Sequence, residues 1–117
     1  MGDHSTPKFL QGAFTFNGKG YDAPFLLDSS LRYVVPAGSI SQPLYFRGGN
    51  SADELITVIV MRDSAPMRYF PIGAKDAVHV PLRVVEDLIA DTVLEVFVAA
   101  PDGMSGTVIV DIGLVEV

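Results

Sequence analysis

The feature that most constrains this chain is its punctuation. From Phe9 onward, short runs rich in Val, Ile, Phe and Tyr are interrupted at regular intervals by Gly, Pro, Asn and Asp. The runs are Phe9–Phe16, Ala23–Leu27, Leu31–Val35, Gln42–Arg47, Leu55–Met61, Met67–Ile72, Ala77–Val85, Leu94–Ala100 and Thr107–Val117. β-branched and aromatic residues fit a pleated, half-buried surface, and evenly spaced short runs of them predict an all-β sandwich. The expectation is therefore about nine short strands in an antiparallel two-sheet β-sandwich. Residues 1–8 read as a flexible N-terminal tail and 9–117 as a single domain, with no linker or repeat dividing it.

Alternation within the runs assigns faces. In Leu94-Glu95-Val96-Phe97-Val98, Leu94, Val96 and Val98 share one face while Glu95 takes the other. Leu55–Met61 differs: Ile56, Val58 and Val60 form one apolar face, and Leu55, Thr57, Ile59 and Met61 form a second. A strand apolar on both faces is central in its sheet or carries an interface. Two stretches compete with the strand pattern. Ser51-Ala52-Asp53-Glu54 has capping-box spacing and predicts a single helical turn at most. Val84 to Asp91 places Val84, Val85, Leu88 and Ile89 at helical spacing, which fits two turns, although a strand ending in an acidic turn fits nearly as well.

Charge excludes some partners. The chain has 8 Lys and Arg against 14 Asp and Glu, a net charge of −6, and its basic residues are scattered. Nucleic-acid binding needs a basic stripe to displace counterions, and an anionic membrane surface needs a basic cluster, so neither is an expected partner. Cysteine is absent, which removes disulfides, thiolate catalysis and cysteine-based metal sites. Apolar residues reach 49% while charged residues are 19%, below the usual ~25%. Such a surplus points to an additional buried surface, in a homo-oligomer or against a larger partner. No run approaches a membrane helix, and the N-terminus has no signal-peptide core. Cytoplasmic location is the default expectation, with secretion not excluded.

The catalytic motifs are missing. A serine or threonine nucleophile needs a positioned base, and the histidines are His4 and His79. His4 lies in the tail, and Val78-His79-Val80 turns His79 outward, as a solvated or interface residue. Phosphate loops, dinucleotide fingerprints and nucleophile elbows are absent. The adjacent carboxylates Asp53-Glu54 and Glu86-Asp87 point apart on a strand or solvate a turn. The expectation is a protein that is not an enzyme. With Met1 removed, Gly2-Asp3-His4 would offer an amine, two amides and an imidazole, a square-planar set for copper(II) or nickel(II) that also arises by chance.

Interaction candidates are clearer. Met67-Arg68-Tyr69-Phe70 combines residue types enriched at interface cores, and Pro71 beside them suggests an edge strand. Arg47-Gly48-Gly49-Asn50 reads as a mobile loop carrying one donor-rich side chain. Tyr45 and Tyr69, presented together by a strand pair, would form a platform for a glycan. Asp22, Asp28, Asp102 and Asp111 are candidate oxygen ligands for a structural calcium ion, without the fixed spacing of a calcium loop.

The closing run Gly106-Thr107-Val108-Ile109-Val110-Asp111-Ile112-Gly113-Leu114-Val115-Glu116 resembles the last strand of carbohydrate-binding-module and galactose-binding-like jelly rolls, where an aliphatic run leads to an Asp and a Leu-x-Glu ending. The resemblance covers about a tenth of the chain and implies a jelly roll with a ligand site on its loops or concave sheet. It also implies a calcium-supporting role for Asp111, while the absence of Trp departs from the sugar-binding members. Two functions follow as expectations. The first is a non-catalytic interaction protein, either a homo-oligomer or a small accessory subunit of a larger assembly, using Met67, Arg68, Tyr69 and Phe70. The alternative is a carbohydrate-type ligand-binding module using Tyr45, Arg47, Tyr69 and Arg68, with or without calcium at Asp111.

Overall fold

A computed structural model describes residues 5–83 and 85–117. Each expected run forms a strand: β1 (Thr6–Asn17), β2 (Gly20–Leu26), β3 (Tyr33–Val34), β4 (Ser41–Asn50), β5 (Ile56–Arg62), β6 (Ala65–Ile72), β7 (Ala77–Pro81), β8 (Val93–Ala100) and β9 (Ser105–Glu116). They build two antiparallel sheets packed as a sandwich. Sheet A has the order β1-β9-β4-β7, and sheet B has β2-β8-β5-β6 with β3 also pairing to β8. The order is compatible with a jelly roll. Only β5 and β6 are neighbours in both chain and sheet among the described residues, so most connections carry the chain from one sheet to the other.

The period of two explains which side chains meet inside. Ile56, Val58 and Val60 of β5 and Leu94, Val96 and Val98 of β8 line the inner face of sheet B. Val108, Val110, Ile112 and Leu114 of β9 face them from sheet A. Each such side chain contributes about 1.5–3 kcal/mol on leaving water. At the centre, Phe46 of β4 stacks on Phe70 of β6, with centroids 4.0 Å apart and rings 5° from parallel. That contact joins the sheets.

The same stack explains Gly48. A Cβ there would stand 2.7 Å from Ile72 Cδ1 and 2.8 Å from the Phe46 ring. Arg47-Gly48-Gly49-Asn50 is therefore the last part of β4 rather than the expected loop, with Gly48 making room for packing. Asn50, 5% exposed, governs the connection that follows. Its Nδ2 donates to the carbonyls of Glu54, Ile72 and Gly73, and its Oδ1 accepts from the Ala52 N–H. This network bends Ser51–Glu54 without a helical turn, and Ser51 Oγ accepts from the Thr107 N–H on β9 instead of capping a helix.

Two boundaries also differ from expectation. β1 begins at Thr6, inside the stretch read as a tail, because β9 is long enough to pair with it from Thr6↔Glu116 to Asn17↔Ser105. Pro7 is tolerated there because β1 is an edge strand. Residues 85–91 hold no helix. Leu88 forms a bridge with Ser41 at the start of β4, which takes the backbone groups a helix would use.

Candidate functional site

The outer faces of the two sheets differ in chemistry. On sheet B, β5 is central, and its second apolar face points outward. Cross-strand register sets Tyr69 beside Ile59, Ile59 beside Phe97, and Phe97 beside Leu26. The row crosses β2, β8, β5 and β6. Ile59 is only 4% exposed although it faces outward, because its neighbours cover it, while Tyr69 stands 61% exposed at the rim. The adjoining rows add Pro71, Thr57 and Ala99 on one side and Met61 and Glu95 on the other. Glu95 is the single charge among these side chains.

β6 is an edge strand, as Pro71 indicates, but its alternation splits Met67–Phe70. Phe70 turns into the core and Met67 packs half-buried against it. The Arg68 guanidinium binds Glu86 through two nitrogens, its Nε donating to Oε1 at 2.9 Å. Only Tyr69 of the four is free on the outer face. Beside this edge, where β6 and β7 part, lies a hollow of about 420 Å³ lined by Tyr69, Pro71, Val78, Val80, Leu82 and Val85 among others.

Sheet A carries a polar row. Gln11 of β1, Asp111 of β9, Arg47 of β4 and His79 of β7 are successive neighbours across the four strands. Tyr45 lies over the row: its ring rests on Gly113, where a Cβ would stand 2.0 Å from Tyr45 Cε2. The Tyr45 hydroxyl donates to Asp111 Oδ1 at 2.9 Å, and Gln11 Nε2 donates to the same oxygen at 3.1 Å. Burial raises the Tyr45 phenol above its ordinary pKa, and the bond to Asp111 and its charge add to this against the opposing field of Arg47. The Arg47 guanidinium stands 5.1 Å from the Tyr45 ring centroid, and His79 meets the same ring edge-on at 6.1 Å. Among the described residues Arg47 has no carboxylate within ion-pair distance. A hollow of about 440 Å³ opens beside it, lined by Arg47, Gly49, Ala77, His79, Ile109 and Asp111 among others.

The structure thus gathers Tyr45, Arg47 and Asp111, and separates them from Met67, Arg68, Tyr69 and Phe70. Tyr45 and Tyr69 face away from each other on different sheets, so the expected tyrosine platform does not form. Gln11 was hidden in an unremarkable run, and only the β1–β9 register reveals it. His79 faces outward as its alternation indicates. Asp28 is engaged as a cap, its carboxylate accepting from the Ser30 N–H at 2.8 Å, and its bonds to Ser30 hold its pKa below the ordinary value. Among the described residues no three His, Asp or Glu side chains gather into a metal-holding group. Gly2-Asp3-His4 lies outside the described residues. No described helix is long and apolar enough to cross a membrane. No family model matches the chain, and no curated protein matches it either.

Proposed function

We propose that this chain is a non-catalytic interaction protein that associates with a second copy of itself through the outer face of sheet B. The supporting observation is the continuous row Leu26, Phe97, Ile59 and Tyr69, flanked by Thr57, Pro71, Ala99 and Met61. Leu26 and Tyr69 stand exposed at the two ends of the row, and covering them removes apolar surface from water at about 25 cal/mol per Å². Charge selects this face for the pairing of two copies. Two chains of net charge −6 repel, and association between them is cheapest where the surface is most nearly neutral. Among the side chains of the row and its flanks Glu95 is the one charge, and a two-fold pairing sets identical, nearly neutral patches together. Tyr69 supplies an amphipathic anchor at its rim.

Tyr69→Lys and Leu26→Lys test the reading, because both side chains lie outside the core. Light scattering after size-exclusion chromatography should give the native chain a mass above its 12.5 kDa and return both variants to monomers with unchanged thermal unfolding. A native chain that stays monomeric at every concentration overturns self-association. Recovery of a hetero-complex through the same face would make the chain an accessory subunit instead.

A further inference from the structure

From the other side of the molecule, we propose a binding site on the outer face of sheet A for a small polyhydroxylated carboxylate, a sugar acid in chemical class. The inference starts from groups whose bonding is unfinished. Arg47 is exposed and held in place by the Tyr45 ring, yet has no carboxylate partner among the described residues. A guanidinium fixed against an aromatic face and free on its donor edge suits bidentate capture of a carboxylate. His79 stands next to it in the row and supplies a second nitrogen for the same group.

Asp111 restricts the ligand further. Its Oδ1 already accepts from Tyr45 and Gln11, which fixes the carboxylate, while Oδ2 has no partner among the described residues. An ionised carboxylate only accepts, so whatever lies beside Oδ2 must donate. A simple carboxylate would be repelled by Asp111, and a neutral polyol would leave Arg47 unpaired. A ligand carrying both hydroxyls and one carboxylate satisfies both residues, whose strands are adjacent and roughly 4.8 Å apart.

The floor has room for such a body. In the next row Gly49 and Ala77 leave the backbone nearly bare, and the Cβ that Gly49 lacks would stand 3.8 Å from Ile109. Ile109, 55% exposed, forms the apolar wall against which a carbon skeleton can rest. The hollow of about 440 Å³ is shallow and open to solvent, so a ligand reaches Arg47 and Asp111 directly.

Amide NMR spectra of the full chain, titrated with gluconate, glucuronate, an oligomer of uronic acids, glucose and acetate, test the proposal. Gluconate or glucuronate should shift the Arg47, Gly49, His79 and Ile109 signals saturably, with glucose and acetate weaker by about tenfold or more. Arg47→Gln and Asp111→Asn should each weaken binding by about tenfold while leaving the remaining spectrum folded. Tyr69→Lys on the opposite sheet should leave it unchanged, so this site and self-association fail separately. Tighter binding of the oligomer assigns the ligand to a polysaccharide, and equal or weaker binding assigns it to a free acid. Absence of saturation with every acid, acetate equal to gluconate, or an Arg47→Gln variant that binds like the native chain would each overturn the proposal.

Discussion

Tyr33 and Glu116 show how one pair of side chains ties the two sheets. Tyr33 comes from β3 of sheet B and Glu116 from β9 of sheet A, and the phenol donates to Glu116 Oε2 at 2.6 Å. Glu116 is only 8% exposed, so this donor replaces part of the hydration it loses. Burial, then the bond to Glu116 and its charge, push the Tyr33 pKa from 10.0 up to about 12. The folded state therefore holds the phenolic proton more tightly than the unfolded state. Its contribution is complete below pH 10 and is lost as pH rises toward about 12. Tyr33→Phe should cost about 1–3 kcal/mol at neutral pH, because Glu116 is left short of a donor. The variant should also lose less stability than the native chain across pH 10 to about 12, as read by urea unfolding at each pH. At this scale the sequence reveals types but not partners. Asn50 looks like any residue beside glycines, and two of its four backbone contacts reach Ile72 and Gly73, more than twenty positions away.

Among elements, the connection between β7 and β8 tests the difference between periodicity and packing. Val85, Leu88 and Ile89 have helical spacing, yet Leu88 is 1% exposed while Val85 and Ile89 are 67% and 68% exposed. A helix would have buried them together. Instead Leu88 exchanges backbone hydrogen bonds with Ser41 at 2.8 and 2.9 Å, Glu86 binds Arg68, and Asp87 accepts from Gln42. Leu88→Ala should thus cost about 2–5 kcal/mol, whereas Ile89→Ala should stay within about 0.5 kcal/mol in chemical denaturation. Equal losses at both positions would contradict this arrangement. Strand existence and strand faces are legible because alternation is local: β5 shows two apolar faces, and Val78-His79-Val80 sends His79 outward. Which strands become neighbours is not legible. The row Gln11–Asp111–Arg47–His79 draws on β1, β9, β4 and β7, and no local pattern links residues separated by most of the chain. The expected Tyr45–Tyr69 platform failed for the same reason, since each tyrosine faces outward from a different sheet.

For the whole molecule, the two outer faces divide the work of the surface. Sheet A presents a polar row in which Arg47 has no carboxylate partner among the described residues, and sheet B presents an apolar row flanked by Glu95. Long-range charge distinguishes the occupants of sheet B. At ~0.01 M salt the screening length is ~30 Å, so two chains of net charge −6 repel across their full width. At ~0.1 M it falls to ~10 Å, and much of that repulsion is gone while the apolar contact is unaffected. Self-association through sheet B should therefore tighten as salt rises over this range, measured by sedimentation equilibrium. Glu95→Gln should strengthen it at low salt and have less effect at high salt, because Glu95 is the charge that flanks the apolar row. A basic partner seeking the acidic chain would behave oppositely, weakening as salt rises. An association that weakens with salt thus rejects the neutral-face pairing even where the mass matches a dimer, and the sign of the salt dependence separates the two assemblies.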